Sequence, residues 1–196
     1  MRAGAWRKYL EEQREQFGKT LFTRTELANV AQASPAALTV ELGRLRRQEI
    51  LVRYAHGLYG MAGAVPLEVL VPAIDSHAYM TGHHALFRHQ MTTQVPVVVT
   101  CFTDRRSPRA RERWTPLGRL VFVCVRGSVY FPPDGAMASA AQALCDYVYL
   151  ARRGGVDPAS LLTFRNLDRV RSADLAPVLV RYPVSVRKNV ERLLLH

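Results

Sequence analysis

The chain has 196 residues, 48% of them hydrophobic, with 27 Lys and Arg against 16 Asp and Glu and a formal net charge of +11. That length and apolar content supply a core for one large or two small domains, and there is no internal repeat or low-complexity tract. The positive balance favours a polyanionic partner, nucleic acid before anionic membrane, although residues 1–63 (ten basic against six acidic) and 64–196 (seventeen against ten) share the excess.

Trp6 to Phe17 reads as a polar helix stopped by Gly18, with Trp6, Leu10 and Phe17 placed to pack inward. Thr23-Arg24-Thr25-Glu26 is a capping box, in which hydroxyl and carboxylate each bond an orphan backbone N–H at a helix start. A short helix from Glu26 to Ala31 turns Leu27 and Val30 inward, and Gln32-Ala33 reverses the chain. Ser34-Pro35 opens a second helix through Gln48, with Ser34 as N-cap and Pro at the first helical position. Leu38, Leu42 and Leu45 form its buried stripe, while the other face carries Ala36, Val40, Gly43, Arg44 and Arg47, with Thr39 beside it. Ile50–Tyr54 and Leu58–Met61 read as strands around Ala55-His56-Gly57. Helix, turn, helix and hairpin predict a winged helix-turn-helix. The DNA-contacting set is Ser34, Ala36, Thr39, Val40, Arg44 and Arg47 on the second helix, with Arg53 and His56 on the wing.

The domain boundary is expected near residue 64, giving a DNA-binding domain 1–63 and a partner-binding domain 64–196. In the second, 66–74 reads as a helix and 75–79 as extended chain, and Thr81 caps a helix through Gln90 with Ala85, Leu86 and His89 inward. The apolar run Val95–Thr103 predicts a strand covered on both faces. A polar loop from Asp104 carries Arg105, Arg106, Arg109, Arg111 and Arg113, whose forked guanidinium groups match phosphate or carboxylate. Leu120–Val125 and Val129–Phe131 read as further strands. Helices follow at 137–153, from Asp157-Pro158, at 167–179 and at 184–195. The class is α+β: an N-terminal winged helix-turn-helix, then a domain with a small sheet packed by helices.

Candidate chemistry is sparse. His77, His83, His84 and His89 cluster in sequence, without the helical i, i+4 pair and Glu of a metalloprotease or a nearby carboxylate group, so no metal is expected. Gly127-Ser128 resembles the opening of a nucleotidyltransferase site, but no Asp-x-Asp follows, only Asp134. Phosphate-binding glycine loops and a nucleophile elbow are missing. Cys101, Cys124 and Cys145 lie far apart in apolar settings and read as reduced thiols rather than zinc ligands. The reading is non-enzymatic and without cofactor. No run of eighteen apolar residues predicts a membrane span, and Met1 to Lys8 lacks a signal-peptide stretch, so a cytoplasmic location is expected.

Three segments in order resemble the AbiEi antitoxins of bacterial type IV toxin–antitoxin systems. Thr23 to Gly60, ending Gly57-Leu58-Tyr59-Gly60, is similar to the family's N-terminal winged helix, and Tyr79 to His89 to the opening of its C-terminal domain. Ala138 to Leu150 is similar to a later helix that often reads Ala-Ser-Pro-Glu-Lys-Ala-Leu-x-Asp, with Ala140-Ala141 here where Pro-Glu is usual. The resemblance implies an antitoxin that represses its own operon by binding inverted repeats in double-stranded operator DNA, as a dimer on a palindrome. It also implies countering a nucleotidyltransferase toxin, with the arginine loop facing the toxin or its substrate, or extending the DNA footprint. The alternatives are a winged-helix protein dock or regulator without a toxin, and a nuclease-like enzyme using the histidines.

Overall fold

The computed structural model describes residues 2–106, 111–125 and 127–195. By contact density the chain divides into two units, Met1–Ile74 with Thr115–Leu117, and Asp75–Trp114 with Gly118–His196. The division thus falls after Ile74, and the helix expected to begin the second domain groups with the first. The chain is α+β, with a helical N-terminal region and a mixed sheet packed by helices.

The first unit begins with helix α1 (Ala3–Phe17), ended by Gly18 in the left-handed region at φ 63°. Strand β1 (Leu21–Thr23) runs directly into α2 (Arg24–Ala31). The Thr23 hydroxyl accepts from Glu26 N–H and the Glu26 carboxylate from Thr23 N–H, so the capping box is complete. Gln32, left-handed, ends α2, and Ser34 caps α3 (Pro35–Arg47). Strands β2 (Val52–Ala55) and β3 (Leu58–Gly60) form a hairpin across a His56-Gly57 turn, where Gly57 takes φ 74°. The sheet order is β1-β3-β2. The strand β1 was not anticipated; three residues are too few to show a period. Gly60 is needed for close approach, because a Cβ there would lie 2.5 Å from the Thr20 carbonyl oxygen. Trp6, Leu10, Phe22, Leu27, the α3 stripe and Tyr59 make one core. Phe17, expected inward, is 69% exposed at the last helical position before Gly18. Helix α4 (Leu67–Ile74) closes the unit.

In the second unit β4 (Tyr79–Thr81), β5 (Val98–Thr103), β6 (Glu112–Thr115, whose last residue groups with the first unit) and β7 (Gly118–Cys124) form a sheet of order β4-β5-β7-β6. β4 is antiparallel to β5, and β5 parallel to β7. β5 starts at Val98, with Val95 and Val97 exposed, so only the later part of the apolar run is strand. The expected strand at 129–131 is absent: Gly127–Val129 makes a 3₁₀ turn opened by Gly127 at φ 65°. Helix α5 (Gly82–Arg88) follows β4, and α6 (Ala140–Arg153) is the central helix, capped by Ser139. α7 (Pro158–Leu161), α8 (Ser172–Leu179) and α9 (Val184–Leu194) complete the unit. The helix expected over 167–179 is split, a 3₁₀ turn at Leu167–Arg169 preceding α8.

Asp146 on α6 is fully buried. Its Oδ2 accepts from Thr81 Oγ1 (2.6 Å) and Tyr79 OH (3.4 Å), and its Oδ1 from Tyr182 OH (2.5 Å). Burial pushes this carboxyl up to about 7 against the opposing pull of the three hydroxyls. One side chain thereby ties β4, α6 and the α8–α9 turn together.

Candidate nucleic-acid interface

The face of α3 opposite its leucines is exposed over most of its length. Leu38, Leu42 and Leu45 are buried, as their spacing requires, while Ala36, Thr39, Val40 and Arg47 are exposed, Val40 to 71%. An exposed valine beside alanines on a helix carrying arginines is a surface of methyl groups and positive charge. Such a surface fits a major groove, where thymine presents a methyl and guanine two acceptors.

Three of the expected α3 contacts, Ser34, Arg44 and Thr39, have their side chains engaged within the unit. Ser34 spends its hydroxyl on the Ala37 N–H (3.3 Å) as the helix cap. Arg44 is half-buried and ion-paired with Glu41 (2.8 Å), whose carboxylate also accepts from the Trp6 indole (2.7 Å). Burial raises the Glu41 carboxyl, but the indole donation and the Arg44 charge outweigh it and hold it below its usual value. Glu41 therefore ties α3 to α1 through Trp6, with Arg44 paired to it, and Arg47 is the α3 arginine left on the exposed row with Ala36 and Val40.

Arg24, which the pattern reading passed over, joins the pieces of this surface. Its backbone N–H donates to the Gly57 carbonyl in the hairpin turn (2.9 Å). Its guanidinium donates to Thr39 Oγ1 (2.7 Å) and to the Pro35 carbonyl (3.1 Å) on the first turn of α3. Thr39 in turn donates to Pro35 O (2.8 Å). One exposed arginine thus holds the start of α3 next to the hairpin tip. A signal was present: the capping box makes Arg24 the first helical residue, where the positive end of the helix dipole disfavours a cation. At the tip, the exposed Arg53 donates to Ala55 O (3.2 Å) and pairs with His56 Nδ1 (3.1 Å), so Nδ1 accepts in this arrangement.

In the second unit, Arg105, Arg106 and Arg111 are exposed and Arg113 is half-buried on β6; Arg109 lies outside the described residues. The expected loop to Arg113 is shorter, because the Arg111 carbonyl already accepts from Phe122 N–H on β7 (2.8 Å) and strand begins at Glu112. The four histidines are held apart. His77 pairs with Asp104 (2.8 Å), His83 with the Gln94 carbonyl, His89 with the Ala138 carbonyl, and His84 is buried. Among the described residues no three His, Cys, Asp or Glu form a metal-holding group. The three cysteines are free, and burial pushes the Cys101 and Cys145 thiols up to about 12, well away from nucleophilic character. Among the described residues no helix is long and apolar enough to cross a membrane.

Compared with known protein families and with characterised proteins, the chain matches no family model and no relative.

Proposed function

We propose that the first unit is a winged helix-turn-helix that binds double-stranded DNA, with α3 in the major groove and the β2–β3 hairpin as the wing on the backbone or minor groove. The observation that carries this is the Arg24 junction. It makes the bare face of α3 and the hairpin turn neighbours on one exposed basic surface. Ala36 and Val40 meet thymine methyls, Arg47 meets guanine or phosphate, and Arg24 and Arg53 meet phosphate.

On the resemblance of residues 23–60, 79–89 and 138–150 to the AbiEi antitoxins, we propose a non-enzymatic, cytoplasmic repressor. It binds inverted repeats of its own promoter and counters a nucleotidyltransferase toxin. A dimer matches the two-fold symmetry of such repeats.

The test is a gel shift on the DNA upstream of the coding sequence. The wild type should bind it with a steep salt dependence, and Arg47→Ala should cost about 1–3 kcal/mol of operator affinity without unfolding the protein. Unchanged affinity in Arg47→Ala removes α3 as the reading helix. If no DNA is bound and a protein partner is retained on the α3 face instead, the unit is a protein dock. Growth rescue of cells expressing a neighbouring nucleotidyltransferase tests the antitoxin reading separately.

A further inference from the structure

We propose that the β6 edge of the second unit is a docking strand for an extended, acidic segment of a partner protein, which adds to the sheet beside β6. Three independent features meet there. Among the described residues β6 is the last strand of its sheet. It returns into β7 through Pro116-Leu117, a connection too short for anything but an antiparallel hairpin. The Phe122 N–H to Arg111 O bond puts Arg111 in the set that bonds inward to β7. Alternation then places Arg113 with it and turns the backbone N–H and C=O of Glu112 and Trp114 outward.

The second feature is Trp114. An indole that is 77% exposed on a short strand is a large apolar surface held rigidly in water. Its ring is braced by the Arg119 guanidinium, 5.6 Å from the ring centroid, and Arg119 is itself steadied by Glu112 (3.5 Å). Val97, also exposed, lies next to Val98, which pairs with Arg119 across β5 and β7. The third is charge. Arg111 stands exposed immediately before β6, and Arg105 and Arg106 are exposed just after β5. An acidic strand with an apolar side chain over Trp114 satisfies all three. A second copy of this chain does not, because its own β6 edge carries Arg111 and Arg113 against Glu112 alone and so brings positive rather than negative charge. Nucleic acid would use the charge and the ring but leave the alternating backbone groups of the edge unanswered.

The proposal uses no residue of α3 or of the β2–β3 hairpin, so it stands or falls apart from DNA binding. The protein carries only two tryptophans, and Trp6 is wholly buried, so a change in exposed-indole emission reports Trp114. The probe is an acetylated peptide of alternating glutamate and valine, about ten residues long, labelled for anisotropy and titrated into the full chain. Binding should shift Trp114 emission to the blue. A fully N-methylated peptide of the same charge should bind at least about tenfold more weakly, since it lacks the backbone donors. Joint replacement of Arg105, Arg106 and Arg111 by Ser should weaken binding by about tenfold and flatten its salt dependence. Equal binding of the N-methylated peptide overturns the proposal in favour of simple charge attraction. A single-stranded oligonucleotide that quenches Trp114, while the peptide fails to compete, overturns it in favour of nucleic acid. No binding of the peptide at about 1 mM overturns it outright.

Discussion

Helices α3 and α6 are nearly equal in length, 13 and 14 residues, and are used in opposite ways. α6 is buried over every residue from Ala141 to Val148, polar ones included, so Gln142 must find the Phe131 carbonyl and Asp146 its three hydroxyls. α3 buries three leucines and leaves alanines, a valine and arginines facing outward. A helix enclosed all round is committed to the fold. One that covers a single stripe keeps its other face for a partner. Substitutions on α6 should therefore be read in stability, and those on the outer face of α3 in binding.

The largest expected effect is at Asp146. Asp146→Ala strands the Tyr79, Thr81 and Tyr182 hydroxyls in the core and should cost roughly 3–5 kcal/mol in chemical denaturation. Asp146→Asn supplies a pH test of the same site. The native carboxyl titrates at about 7, whereas an unfolded one titrates near 4. Between those values the native state holds more protons than the unfolded state, so wild-type stability falls as pH rises through the window. The Asn variant lacks this slope. Urea titrations from about pH 4 to 7 should show the wild type losing ground to Asp146→Asn; parallel curves would mean that the carboxyl is not shifted.

Next in size is Leu42→Ala on the buried stripe of α3, which should cost about 3 kcal/mol through lost burial and the cavity left behind. That variant marks what damage to the fold of the first unit looks like, against which binding variants are judged. Arg24→Ala and Arg53→Ala should each leave the protein folded and reduce the slope of log K against log salt on operator DNA by about 1. An unaltered slope in either variant takes that arginine off the phosphate backbone. The smallest stability effect belongs to Val40→Ala, within about 0.5 kcal/mol by denaturation, because the side chain is already in water. Its operator affinity should nevertheless drop, and a drop in melting temperature as large as that of Leu42→Ala would erase the contrast between the two faces.

Much of the first unit was legible because its signals are local. The Thr23–Glu26 box, Ser34-Pro35, Gly18 and the leucine stripe act over one or two turns, and each ended up as an element boundary or a core face. Of the candidate contacts, the exposed row of Ala36, Val40 and Arg47 could be drawn from helical spacing alone. The Glu41–Arg44 pair is also an i, i+3 spacing, but the bond that ties Glu41 to Trp6, thirty-five residues away, could not be drawn from it. Arg24 was hidden for the same reason: its partners, Thr39 and Gly57, are distant in sequence. In the second unit, Val95 and Val97 have strand-forming side chains but no neighbouring strand to hold them, so propensity overreached.

The sequence by itself determined the end of α1, the caps of α2 and α3, which leucines of α3 turn inward, and that positive charge prevails in both halves. Those properties depend on backbone donors, turn geometry and side-chain period within a few residues. Only the tertiary structure decided which arginines are tied and which stand free on a surface, that β6 lies at the edge of its sheet with Trp114 in water, and that Asp146 is enclosed by hydroxyls from β4 and from the α8–α9 turn. The reason is that burial and pairing are set by groups brought together across long stretches of chain, and a carboxylate in solvent and one in a core are written with the same letter.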